Sequence, residues 1–224
     1  MPRLSPPTQQ QLQPFAESLA LVEQQMGFAP NSMPLMAHRP AMLGSAMLFM
    51  STIFGFRGRK IAKVAALKQF LRTLKWTRKA QQESDSEIDP GLKQMIAFVT
   101  SNASGCRYCQ AHTAHQAHSN GVPLEKIQAL WSFADSDQFS DAEKAALSLA
   151  FNAGLTPNGA EDSHFDELKK HFNDQQITEI VAIIAMFGFL NRWNDTLQTP
   201  LETAPLNFAE QNLSVGGWNA EGHS

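Results

Sequence analysis

Helical periodicity runs through almost the whole of this 224-residue chain, and no stretch alternates apolar and polar residues as a half-buried strand does. That restricts the fold to helix packed on helix. A first helical segment covers residues 12–26 with a restart at Pro14, a Pro/Asn-containing link follows at 27–34, and a second helix covers 41–54. Ile61, Val64, Leu67, Leu71 and Leu74 then recur every three or four residues, the apolar stripe of an amphipathic helix. Asp89-Pro90-Gly91 is a turn signal closing an acidic linker over 81–91. Helices are expected at 92–102 and 106–120, the second stopped by Gly121, which suits a left-handed cap, with Pro123 opening a further helix to 134. Ser140-Asp-Ala-Glu143 is a capping box, and Asn173-Asp-Gln-Gln176 is a second one leading into a helix over 177–191, with a helix at 164–172 between them. After Thr199 the chain is rich in Pro, Gly and Asn and reads as a loosely ordered arm. The expectation is an all-α protein with a single multi-helix domain over residues 1–205 and an arm over 206–224, a length that buries a sizeable core without staples. Residues 92–102 and 142–152 share one apolar pattern, and each is followed by a loop and two helices, which suggests two related helical layers.

Residues 40–56 carry no charge and residues 181–190 are apolar, but both fall short of the ~20 residues that span a bilayer. The first stretch also holds Gly44, Ser45, Ser51 and Thr52, and reads as a buried or subunit-facing helix. Met42, Met47 and Met50 on it read as packing. Residues 1–30 lack an apolar block before a cleavage site, so the expected location is the cytoplasm, with no membrane partner. Residues 57–79 carry nine of the 18 Lys and Arg and no acid, so this segment is +9 and, from a total of −3, the rest is −12. A basic helix raises the question of nucleic acid. Its charges lie opposite the apolar stripe, without helix-turn-helix spacing or aromatic interleaving, so it reads as a solvated face that docks an acidic patch of another subunit, and no nucleic-acid partner is expected. Charged residues make up 17%, against about 25% for a usual soluble domain, which implies that part of the surface is covered.

Cys106 and Cys109 are the whole thiol inventory, in one Cys106-Arg107-Tyr108-Cys109 motif that also holds the single Tyr. Two cysteines cannot frame a disulfide-stapled secreted domain. At i and i+3 on a helix they share one face within disulfide reach. The preceding Ser101-Asn-Ala-Ser-Gly105 is rich in capping residues, so the thiols start a helix and feel the positive end of its dipole, with Arg107 adding charge. With Cys109 as zero and ~100° per residue, Cys106 lies near +60°, Thr113 near +40° and His112 near −60°, while His115 falls near −120°. His112 is therefore placed one turn on, where an imidazole takes a proton from Cys109. Cys106, Cys109, His112 and His115 stretch over ~13 Å of helix, too far to close on one tetrahedral ion, so no metal is expected. Covalent haem needs His where Gln110 stands, and a thioredoxin fold needs strands. A redox dithiol and a pair of small buried hydrophobes remain as readings of the motif.

The run Leu92-Lys-Gln-Met-Ile-Ala-Phe-Val-Thr-Ser-Asn-Ala-Ser-Gly-Cys-Arg-Tyr-Cys-Gln-Ala-His-Thr-Ala resembles the carboxymuconolactone decarboxylase-like superfamily, on its alkylhydroperoxidase D-like, peroxidase-related side. Asn31-Ser-Met-Pro-Leu-Met-Ala-His-Arg-Pro40 is similar to the family's opening, and Phe187-Gly-Phe-Leu-Asn-Arg-Trp-Asn-Asp-Thr-Leu197 to its closing helix. The resemblance implies an all-α fold of alkylhydroperoxidase D-like type, a homo-oligomer (dimer, trimer or hexamer) and reduction of a small hydroperoxide by the dithiol. It implies no cofactor. Cys109 would attack, Cys106 would resolve the product as a disulfide, and an external dithiol electron donor would reset the pair. The family's relay Glu and His positions fall on Gln94 and Thr113, with His112 one place before the latter. His112, with Gln94 and Thr113 through water, is expected to handle the protons, and His115 is a poorer substitute. Two alternatives accompany this reading: a non-enzymatic redox sensor or interaction protein on the same fold, and a non-redox decarboxylase-like enzyme. Trp193, Asn191, Arg192 and Asp195 are placed at the border of the site or a subunit contact, with Arg192 and Asp195 also reading as a plain surface pair at i, i+3.

Overall fold

The computed structural model describes residues 3–28, 30–54, 64, 67–68, 70–75, 78 and 87–223, and every regular element among them is helical. Contacts divide the chain into two units, Met1–Glu87 and Ile88–Ser224, instead of one domain over 1–205 with an appended arm.

In the first unit, α1 (Gln9–Leu12) is opened by a capping box in which the Thr8 side chain accepts from the Gln11 N–H. Pro14 starts a 3-10 turn over Gln13–Phe15, the expected restart, before α2 (Ala16–Met26). Gly27, at φ +81°, ends α2 in the left-handed conformation that costs glycine least. The link beyond it carries the short α3 (Ser32–Leu35) and a 3-10 turn at Met36–His38, then α4 (Pro40–Phe54). Phe15, Met33, Ala37, Leu43 and Met47 form the core of this unit, with Met50 packed against it. Ile61 and most of residues 57–79 lie outside the described residues. Of the stripe, Val64, Leu67, Leu71 and Leu74 are exposed.

The second unit is built on α5 (Pro90–Ser104). Asp89 caps it by accepting from the Leu92 N–H (3.0 Å), and Pro90 occupies the first position, where a missing N–H costs nothing. Met95 through Ser101 are buried without a break. A helix buried all round must be enclosed, and α5 is packed by α6 (Arg107–Ser119), α8 (Asp141–Gly154) and α10 (Asp174–Leu197). Its polar Thr100 and Ser101 return their hydroxyls to the Ile96 and Ala97 carbonyls, each at 2.8 Å, and so enter the interior satisfied. Between these helices, α7 (Leu124–Gln128) runs into a 3-10 turn at Ala129–Ser132, and α9 (Asp162–Leu168) packs on α8. The capping boxes at Ser140 and Asn173 both form. α5 and α8, the two segments of like pattern, pack on each other. No helix among the described residues is long and apolar enough to cross a membrane.

The stretch read as a loosely ordered arm is ordered and half-sunk into this unit. It holds α11 (Thr203–Asn212), which packs on α6. Ala209, Leu213 and Trp218 are buried, and Trp218 Nε1 donates to the Arg107 carbonyl (3.1 Å). The physical reason is visible in hindsight: Pro205 falls in the first turn of α11, where a helix tolerates it, and Leu206, Ala209 and Leu213 keep the three-to-four spacing of a helix face.

Gly91 is the tightest point of the α5 start, since a Cβ there would lie 2.6 Å from Val122 Cγ2. Gly91→Ala is expected to cost ~1–3 kcal/mol in urea unfolding. Adding Val122→Ala should cost less than its separate effect; strict additivity of the two would contradict the contact.

Candidate functional site

Gly105, at φ +81°, reverses the chain between α5 and α6 in a single residue. Cys106 follows as the N-cap of α6, and its sulfur accepts from the Cys109 N–H at 3.4 Å. Thiols thus take the place of the usual hydroxyl cap, and Cys109 sits in the first helical turn. Cys106 is fully enclosed and Cys109 only 3% exposed. From α10, Asn194 Nδ2 donates to Cys109 Sγ (3.4 Å). The next residue, Asp195, has a carboxylate oxygen within 4.8 Å of the Cys106 sulfur, and its Oδ1 lies 3.2 Å from His223 Nε2. Cys106 Sγ, an Asp195 carboxylate oxygen and a His223 ring nitrogen all fall within 4.8 Å of one another. They are also the residues of metal-ligand type that come together among the described residues, and their polar atoms are directed at each other.

These partners pull the two thiols apart. The Cys106 thiol donates to Cys109 sulfur, and this bond, with a further one from Asn194, holds Cys109 below the ordinary thiol value against the opposing effects of burial and the Asp195 charge. For Cys106 the same bond, burial and the nearby Asp195 carboxylate all push the thiol far up. Of the two thiols, Cys109, the one within the first turn of the helix, is therefore the more readily ionised.

The other residues singled out from the sequence are placed differently. His112 Nε2 lies 2.7 Å from Glu202 Oε2, and its ring stacks on Tyr108 with centroids 4.4 Å apart. The Tyr108 hydroxyl donates to the same Glu202 (3.1 Å). Slight burial would raise the Glu202 carboxyl, but hydrogen bonds from its own backbone, His112 and Tyr108 hold it below the usual range. Tyr108 is pushed up to about 12 by burial and then by that carboxylate. His112 thus turns toward the start of α11, and the expected contact with Cys109 does not form, because a carboxylate is the stronger partner for an imidazole. Thr113 is buried and spends its hydroxyl on the Cys109 and Gln110 carbonyls (2.7 and 3.2 Å). Gln94 is half-buried on α5 and has no hydrogen-bond partner among the described residues. His115 meets the edge of Phe208, centroids 5.4 Å apart.

Arg192 donates to the Gly188 carbonyl (2.7 Å) and not to Asp195, so the expected surface pair is absent. Asn191 Oδ1 accepts from Ser101 (3.0 Å), while its Nδ2 is buried with no partner among the described residues. Trp193 is exposed beside Phe189. Asn194, Glu202 and His223 were not found by sequence reasoning. Asn191, Asn194 and Asp195, at i, i+3 and i+4 in an otherwise apolar helix, did carry a signal: a polar face aimed inward. His223 carried none.

Residues 65–152, the stretch holding both cysteines, match the model of the Carboxymuconolactone decarboxylase family. Among solved structures, the chain is similar to the debrominase Bmp8 in its apo form, with 28% identity and a TM-score of 0.54 over 93% of this chain and 96% of that one. A cysteine-to-alanine variant of Bmp8 in complex with 2,3,4-tribromopyrrole matches with a TM-score of 0.53. Among curated proteins, the uncharacterised YnjA of Escherichia coli is 26% identical over 117 residues, and the uncharacterised YdfG of Bacillus subtilis 27% over 110. The chain spans 64% of the length of the first and 73% of the second.

With iodoacetamide at neutral pH, Cys109 is expected to be alkylated before Cys106, as peptide mass spectrometry would show. Asn194→Leu removes a donor to the thiolate, so the pH profile of Cys109 alkylation should move up by about one unit. Equal labelling of both thiols would contradict the charge separation.

Proposed function

We propose that the protein is a dithiol-dependent reductase of the alkylhydroperoxidase D-like type, with Cys109 as the attacking thiolate and Cys106 as the resolving thiol. The observation that carries this reading is the opposed pull on the two sulfurs at the start of one helix, Cys109 held below the ordinary thiol value and Cys106 pushed above it. Its substrate on this reading is a small hydroperoxide. The Cys109 thiolate attacks one peroxide oxygen, the O–O bond breaks, the alcohol leaves with a proton, and Cys109 becomes a sulfenic acid. Cys106 sulfur then attacks Cys109 sulfur and expels water, leaving the Cys106–Cys109 disulfide. An external dithiol donor returns both thiols by exchange. One hydroperoxide and two thiols thus become one alcohol, one water and one disulfide.

The likeness to a debrominase over 93% of the chain favours a second reading of the same site. A dithiol supplies two electrons, which equally convert a carbon–bromine bond of a brominated aromatic into carbon–hydrogen, with bromide and a proton released and the same disulfide formed. The two are separated by incubating reduced protein and a dithiol donor with cumene hydroperoxide or with a bromopyrrole and following loss of each. Cys109→Ser is expected to abolish turnover of either substrate, and Cys106→Ser, given hydroperoxide without the donor, to stop after one event with the sulfenic acid trapped. Turnover unchanged in Cys109→Ser would overturn the assignment, and a disulfide that forms without turnover on either substrate would favour a redox sensor.

The same reading includes a homo-oligomer. Val181, Met186, Phe189, Trp193 and Leu197 leave an exposed apolar stripe on α10, which supports it. Light scattering is expected to give a mass above 24.8 kDa, the mass of one chain; a monomer at micromolar concentration would contradict it.

A further inference from the structure

His223 lies with Cys106 and Asp195 in one cluster, whereas His112 does not reach the dithiol. His223 Nδ1 lies 2.8 Å from the Thr199 carbonyl, which can only accept, so Nδ1 carries a hydrogen. Its Nε2 faces Asp195 Oδ1 at 3.2 Å, and an ionised carboxylate also only accepts, so this contact holds a proton between ring and carboxylate. The His223 side chain is 6% exposed and cannot turn to water, whereas Asp195 is 42% exposed and exchanges protons with solvent. Both lie with Cys106 Sγ inside the same 4.8 Å cluster. Of the other titratable groups nearby, the Tyr108 ring stands 5.7 Å from His223 but its hydroxyl is committed to Glu202, as is His112. Thr113 has spent its hydroxyl on backbone. Asp195 is thus the group placed to receive a proton from Cys106.

We propose that Asp195 is the catalytic base of disulfide closure, and that His223 is a positioning residue which holds the carboxylate toward Cys106 and occupies its other proton site. This rests on the dithiol reading above. As Cys106 sulfur forms the S–S bond, its S–H bond breaks and the proton passes to Asp195. The S–O bond of the Cys109 sulfenic acid breaks, and the departing hydroxide takes that proton as water, so the carboxylate is regained. Cys106 sulfur is oxidised and Cys109 sulfur is reduced from the sulfenic to the disulfide level. With any leaving group on Cys109 the Cys106 proton follows the same path, so the inference is independent of the substrate.

Dithiodipyridine, a chromogenic disulfide, tests this on the reduced full chain. Attack by the first thiol releases one pyridinethione, and closure by the second thiol releases another. Asp195→Asn is expected to keep the first phase or quicken it, because the carboxylate charge opposes the Cys109 thiolate, and to slow the second about 10²-fold. Asp195→Glu should restore part of the second phase. His223→Gln should slow the second phase less, and in it and in Asp195→Asn the second rate should climb with pH as hydroxide replaces the carboxylate. A second phase within about twofold of wild type in both Asp195→Asn and His223→Gln would overturn the proposal, as would equal slowing of both phases in every variant, the mark of a structural role. One pyridinethione per wild-type chain would overturn the dithiol reading itself. Normal phases without peroxide or bromopyrrole consumption would overturn only the substrate assignments.

Discussion

One thiol donating a hydrogen to the other, at the first turn of a helix, is the interaction on which the rest of the site depends. It exists because Gly105 turns the chain sharply enough for Cys106 to become the N-cap of α6, so the residue that begins the helix also faces the residue a turn inside it. Two buried thiols with no such bond would both keep their protons, since burial disfavours an anion on either. The hydrogen bond breaks that symmetry, and the helix start, the Asn194 amide and the Asp195 carboxylate each act on a pair already made unequal.

That symmetry-breaking needs a rigid frame, and α5 provides it. A helix packed by α6, α8 and α10 fixes the point from which the chain enters the Gly105 turn. α10 carries Asn191, Asn194 and Asp195 on consecutive turns facing α5 and the dithiol, so one helix both closes the core and supplies the polar groups that meet the sulfurs. The same two-electron chemistry on sulfur serves an O–O or a carbon–halogen bond equally well, which is why a debrominase and a peroxidase reading meet on one geometry.

What was legible in the sequence was local. Ser140 and Asn173 announce helix starts because a cap and its partner lie three residues apart, Asp89-Pro90-Gly91 marks a boundary as a turn, and Gly121 does so as a residue that takes the left-handed conformation without strain. The shared face of Cys106 and Cys109 likewise follows from spacing alone. The partner of His112 did not, because the Glu202 that captures it comes 90 residues later and reaches it only through the packing of α11 on α6. The composition of residues 199–224, rich in Pro, Gly and Asn, imitates a solvated arm. The few apolar residues that anchor it, Ala209, Leu213 and Trp218, are too sparse to outweigh that signal in the sequence but sufficient once α6 offers a surface. Polar residues at this site take their meaning from neighbours that the spacing along the chain does not reveal.

The last stretch of a sequence is usually its most permissive part, where extra atoms go unnoticed. Here Gly216 lies so close to the Trp131 ring that a Cβ would sit 2.8 Å from it, two residues before the buried Trp218. In a map of tolerated substitutions, residue 216 would therefore stand out as intolerant between exposed neighbours such as Val215, a surface position closed to any side chain at all.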